Sequence, residues 1–137
     1  MKGAITPYLT FYGQAAEASA FYQEIFGLEL KGSQTYGNAG FPAPEHAKEY
    51  LLHCLLQKGD FRLMMADSVE EAPAQPRSGL ALVVECENEE EATAIFGKLA
   101  QGGQVLMELQ DTFWGAKYGK VKDKFGFVWD LNAEKEQ

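Results

Sequence analysis

Gln14-Ala15-Ala16-Glu17-Ala18-Ser19-Ala20-Phe21-Tyr22-Gln23-Glu24-Ile25-Phe26-Gly27 is a helix in outline, and what stands on either side of it sets the fold. Ala15, Ala18, Phe21, Tyr22, Ile25 and Phe26 recur at helical spacing and predict one buried face, with Gly27 as the stop. Upstream, Ala4-Ile5-Thr6-Pro7-Tyr8-Leu9-Thr10-Phe11 is rich in β-branched and aromatic residues and runs into Gly13, the pattern of a short strand and a turn. Pro7 has no backbone donor, so that strand must lie at a sheet edge or place Pro7 where no ladder bond is required. Downstream, Leu28 and Leu30 predict a strand, and the Gly- and Pro-rich stretch Ser33 to His46 predicts a long irregular loop, a lid or a dimer contact. Glu49 to Gln57 and Phe61 to Ala66 are apolar segments joined across Lys58-Gly59-Asp60, where glycine permits a hairpin turn. The order is strand, helix, strand, hairpin.

That order returns after Val69 to Ser78, a linker-like stretch containing Pro73 and Pro76. Leu80 to Glu85 predicts a strand, and Asn88 is placed to cap a helix whose first turn holds Glu89, Glu90 and Glu91, where the helix dipole favours negative charge. Ala92, Ile95, Phe96 and Leu99 form its buried stripe, and Gly102-Gly103 ends it as Gly27 ends the first. Gln104 to Glu108 then predicts a strand, and Ala116 to Lys122 with Phe127 to Leu131 a closing pair around Phe125-Gly126. Phe21 falls opposite Ile95 and Phe26 opposite Ala100, about 74 positions on. The expectation is an α+β fold of paired βαβββ modules, about 1–68 and 78–134, in a single domain over 1–137. Each module has a curved sheet with its helix outside and needs a second sheet to close its concave side, so the two make a cleft. A ferredoxin-like fold is the alternative, with fewer strands per helix.

Composition narrows the partners. A chain of 137 residues can bury roughly 70% of its unfolded surface. Twelve Lys plus Arg against twenty Asp plus Glu give a net charge of −8, a field that repels nucleic acid and anionic membranes. Lys117, Lys120, Lys122 and Lys124 are the one basic grouping and read as a solvated strand edge. Met1 to Thr10 lacks a charged region followed by a long apolar segment, and no run approaches the roughly 20 residues of a membrane span. The chain is therefore expected to be cytoplasmic, without nucleic-acid or membrane partners. Cys54 and Cys86 sit in apolar strand patterns and read as reduced core thiols.

The run Ile5 to Phe11 with Gly13, then Glu17-Ala18-Ser19-Ala20-Phe21-Tyr22 and Phe26-Gly27, resembles the PhnB-like branch of the vicinal oxygen chelate superfamily of glyoxalases, bleomycin resistance proteins and dioxygenases. His53 within Tyr50 to Leu56, the exit Leu63-Met64-Met65-Ala66-Asp67, Trp114-Gly115, Tyr118-Gly119 and Asp123 to Trp129 extend the likeness over nearly the whole chain. The resemblance implies a glyoxalase-like fold with a cupped, barrel-like mixed sheet, a homodimer, and a cavity for a small molecule. In many relatives a divalent metal there is held from the first, fourth, fifth and eighth strands and chelates the substrate's adjacent oxygens.

Carried over residue by residue, those positions fall on Thr6, on Leu63 or Met64, on Gly79 and on Asp130. Only Asp130 is a carboxylate, and one carboxylate cannot hold a catalytic zinc, which takes three protein ligands. The expectation is no metal and no other cofactor, with a displaced set drawn from His46, His53, Glu85, Glu108 and Asp130 as the alternative. His53 and Asp130 are the candidate catalytic residues. For His53 a sheet-bonded strand histidine and an acid–base or binding group both stand; for Asp130, a cavity-facing general base and a solvent-facing strand residue. Candidate ligand-binding residues are Thr6, Tyr8, Leu63, Trp114, Tyr118 and Trp129, the aromatic ones being read equally as core or as pocket lining. Relatives that carry a demethylubiquinone methyltransferase label find no echo here, because no glycine-rich loop follows a strand and opens a helix. Three functions follow from this reading: a small-molecule-binding protein of PhnB-like type, a metal-free module that sequesters a bulky drug, for which the acidic surface favours a cationic ligand, and a metalloenzyme with non-standard ligands.

Overall fold

A computed structural model describes residues 1–135. The chain divides into two compact units, Met1–Pro73 and Ala74–Gln137. The first holds β1 (Tyr8–Phe11), α1 (Ala15–Phe26), β2 (Glu29–Thr35), β3 (Leu51–Lys58) and β4 (Phe61–Asp67), with a single 3-10 turn at Glu45–Ala47. The second holds β5 (Ala81–Cys86), α2 (Glu89–Ala100), β6 (Gln104–Asp111), β7 (Ala116–Lys122) and β8 (Val128–Glu134). Each unit is thus βαβββ, and the class is α+β. The described strands form two four-stranded sheets, ordered β1-β4-β3-β2 and β5-β8-β7-β6. In each sheet the first strand runs parallel to the last and every other pairing is antiparallel.

β1 is an edge strand that begins only at Tyr8, because Pro7 has no N–H to give the ladder; its carbonyl still accepts from Met64 N at 3.0 Å. Along β1, β3 and β4 burial alternates. Leu9, Phe11, Cys54, Leu56, Leu63 and Met65 are buried on the face that carries α1, where they meet Ala18, Tyr22 and Ile25. Tyr8, Thr10, His53, Leu55, Met64 and Ala66 take the other face. The second sheet follows the same rule, with Trp129, Leu131, Ala133 and Val121 against Ile95, Phe96 and Leu99 of α2. Gly119 on β7 is there because a Cβ would sit 2.9 Å from a Phe96 ring carbon and 3.0 Å from Leu109 N.

The two helices have the same length but different ends. Asn88 caps α2 as expected, its Oδ1 accepting from Glu91 N at 2.8 Å. α1 has no side-chain cap from Gln14; instead Asp67, at the end of β4, accepts from Gly13 N at 2.8 Å and Ala15 N at 3.0 Å. α1 stops at Gly27, left-handed at φ 67. α2 stops differently from the expectation: Gln101 is already extended, and Gly103 lies so close to β7 that a Cβ would be 2.1 Å from Lys122 O.

Three local expectations are corrected. The predicted loop is shorter, since β2 runs on to Thr35 against β3, and Tyr36 is buried with its hydroxyl donating to Asp67 O at 2.7 Å. β6 continues to Asp111, past the predicted end at Glu108. The lysine strand is no edge: β7 lies between β8 and β6, and Lys120 pairs with Asp130 while Lys117 faces Asp111.

Candidate functional site

The face of each sheet opposite its helix carries the polar groups that packing does not explain. In the second unit the antiparallel register sets Lys120 against Asp130 and Tyr118 against Asn132, while the parallel one sets Val83 against Asp130 and Glu85 against Asn132. Asp130 is only 6% exposed, which makes its surroundings decisive. Oδ1 accepts from Lys120 Nζ at 2.7 Å, and Oδ2 accepts a short hydrogen bond from the Tyr118 hydroxyl. Burial first, and then the bond to Asp130 and its charge, push the Tyr118 hydroxyl up to about 12. Tyr118 is therefore a proton donor fixed on a carboxylate at neutral pH. Trp114, half-exposed on the turn before β7, meets the Tyr118 ring edge-on at 5.7 Å. Beside this group Asn132 Nδ2 donates to Glu85 at 2.8 Å.

In the first unit the corresponding face carries Tyr8 and His53. The Tyr8 hydroxyl lies 3.0 Å from His53 Nδ1 and the rings are tilted at 5.6 Å. Burial, followed by the influence of Cys54 and Tyr36, raises the Tyr8 hydroxyl above its usual value.

The sheets can be matched from the ends of β1 and β5, where the chain turns into each helix. Phe11 then corresponds to Cys86, and the pair Tyr8 and Met64 to Val83 and Asp130. Continuing across β3 and β7, Leu55 corresponds to Lys120 and His53 to Tyr118. Met64, not Leu63, is thus the first-unit counterpart of Asp130. Leu63 and Trp129, two of the expected ligand-binding residues, point the other way: Leu63 is 0% and Trp129 1% exposed, among the residues that carry the helices. Thr6 lies before β1 in a non-strand segment and is partly exposed.

The positions where relatives hold a divalent metal do not fit one here. They supply a hydroxyl (Thr6), a thioether (Met64), no side chain (Gly79) and a carboxylate with both oxygens engaged (Asp130). Among the described residues no three His, Cys, Asp or Glu side chains group so as to hold a metal ion.

Two groups escaped the sequence reading. Lys120 was readable in principle, because a hairpin centred on Phe125 sets it opposite Asp130. The others are buried carboxylates that build structure. Asp67 also accepts from Leu51 N at 2.9 Å, and Asp123 accepts from Phe125 N, Phe127 N and Trp129 Nε1 at 2.9 to 3.0 Å. For Asp123 the signal is an Asp placed just ahead of a turn, Asp123-Lys124-Phe125-Gly126; Asp67 offers none, because its partners lie 16 to 54 residues away in the sequence.

A doubled βαβββ chain, each unit a four-stranded sheet with one helix, defines the glyoxalase-like class of α+β folds. This chain belongs to the Glyoxalase/Bleomycin resistance protein/Dioxygenase superfamily, whose family model matches residues 4–131, and within it to the PhnB-like branch. It is 32% identical to Protein YjdN of Escherichia coli K12, over 97% of each chain. It is 34% identical to protein PA1353 of Pseudomonas aeruginosa, whose crystal structure superposes with a TM-score of 0.86 over 96% of this chain and 98% of that one. A PhnB protein of Bacillus cereus, described as a candidate 3-demethylubiquinone-9 3-methyltransferase, is 31% identical with a TM-score of 0.80, covering 94% and 98%. Among the described residues no helix is long and apolar enough to cross a membrane.

Proposed function

We propose that the protein binds a small organic molecule on the sheet faces opposite its helices, without the divalent metal that many superfamily members use. The observation that carries this reading is the group Lys120, Asp130 and Tyr118. It occupies the eighth-strand position with an internally neutralised, hydrogen-bonded carboxylate, and a carboxylate so engaged is a poor metal ligand. Tyr118 and His53, at equivalent points of the two units, offer a phenol and an imidazole as ligand contacts. The turns that lead into α1 and α2 carry no glycine-rich loop, so the methyltransferase description of the Bacillus cereus relative gains no support from the residues.

The same reading takes the protein as a homodimer. β6 is an edge strand whose Val105, Leu106 and Met107 are exposed, an apolar edge of the kind that a second copy covers.

Thermal denaturation with small α-keto acids, quinones, thiol adducts and glycopeptide drugs, each with and without EDTA, tests the proposal. A ligand that binds only the folded state raises the melting temperature by mass action. The expected result is stabilisation by at least one class, unchanged by EDTA; stabilisation that EDTA abolishes would show a metal-dependent site instead.

A further inference from the structure

The polar face of the second sheet also constrains what kind of ligand it takes. On β7, Tyr118, Lys120 and Lys122 project to the face away from α2, with Gly119 and Val121 on the helix side. Lys120 Nζ is anchored on Asp130 at 2.7 Å, and its side chain is still 30% exposed. An ammonium has three donors and Asp130 takes one of them. The other oxygen of Asp130 accepts from Tyr118. Lys122 stands two residues along the same face, about 7 Å away along the strand, opposite Val128. Val83 opposite Asp130 and Met107 opposite Lys120 are apolar. Within the rows of Lys120 and Lys122 two ammonium groups stand with one carboxylate, in a chain whose net charge is −8. Of the other carboxylates on this face, Glu85 lies one row further on, bonded to Asn132 at 2.8 Å, and Glu134 two rows on, opposite Ala116.

Resting on the reading that this face binds a small molecule, we infer that its ligand is an organic anion, with a carboxylate or similar oxyanion held by Lys120 and Lys122 and an apolar or aromatic body lying toward Tyr118 and Trp114. Asp130 acts here as a positioning residue. It does not touch the ligand; it holds the ammonium and the phenol at fixed places on the sheet. The acidic surface, which by itself favours a cationic ligand, does not set the preference, because the carboxylate in these two rows is already engaged by Lys120 and Tyr118.

Titration of the whole protein with benzoate, benzamide and benzylamine at pH 7 and fixed ionic strength, followed by backbone amide chemical shifts, tests the inference. The three probes share a ring and differ in charge. Benzoate is expected to bind about tenfold more tightly than benzamide, as a charge-assisted contact provides, and benzylamine most weakly, with shifts centred on β7 and β8. Lys122→Gln leaves the Asp130 pairing intact and is expected to weaken benzoate severalfold while leaving benzamide unchanged; Lys120→Gln has the same effect where it folds. Equal affinities, or tightest binding of benzylamine, with shifts on β7 would overturn the anion preference and leave the small-molecule site standing. Shifts by no probe, or only by residues outside β7 and β8, would overturn both.

Discussion

Asp123 and Tyr118 illustrate how differently two polar residues in one unit are used. Asp123 is buried and spends its oxygens on two turn amides and the Trp129 indole. Asp123→Asn would turn an amide N–H toward one of these donors and leave it unpaired, a loss of about 2 kcal/mol, readable as a lower urea midpoint. An unchanged midpoint would mean that the turn is held by other contacts. Tyr118 carries its proton more tightly in the folded chain, up to about 12, than the usual phenol value of about 10. A raised folded value gives stability that is complete below the unfolded value and is lost as pH rises through the folded one. Stability should therefore fall between pH 10 and about 12 more steeply in the wild type than in Tyr118→Phe, checked by denaturation midpoints across that range. The thiols behave similarly: burial first, then Glu91 and Glu85, push Cys86 up to about 11, and burial raises Cys54 as well. Both are expected to react slowly with a disulfide reagent at pH 8 in the folded protein and fast once it is unfolded.

At the scale of elements, periodicity made the helices legible and register made the sites illegible. Ala18, Tyr22 and Ile25, matched by Ala92, Phe96 and Leu99, repeat a spacing that any amphipathic helix shows, and Asn88 with its glutamates announced a cap. The α1 cap was hidden because it comes from Asp67, some fifty residues away in sequence. Lys120 was misread as an edge residue because a strand's sequence does not say which neighbours flank it. Leu63 and Trp129 lie on the helix-bearing faces, which their sequence did not reveal because a shift of one position on a strand changes the face. Glycine substitutions probe this level directly. Gly97, exposed in α2 with nothing within 4 Å of an added Cβ, should become more stabilising as alanine by about 0.5–1 kcal/mol. Gly119→Ala should instead cost about 1–3 kcal/mol, because Phe96 and the Leu109 backbone must move. Urea midpoints of the two variants should therefore shift in opposite directions.

For the molecule as a whole, the doubled βαβββ order was readable from the sequence because the two halves repeat their elements and the helices keep one offset. The chemistry was less so, since it depends on which far-face positions of the two sheets carry donors. Matching the sheets puts Met64 and Asp130 at equivalent places, and the surviving carboxylate is occupied by Lys120 and Tyr118. The chain keeps the superfamily's architecture, and the binding site proposed for it is built on an ammonium, a phenol and an aromatic edge in place of a metal. Metal content is the most direct test of that claim. Elemental analysis of protein purified without chelators or added metal should find zinc, nickel, manganese and iron each far below one ion per chain, and no different in Asp130→Asn. One ion per wild-type chain, lost in Asp130→Asn, would contradict it.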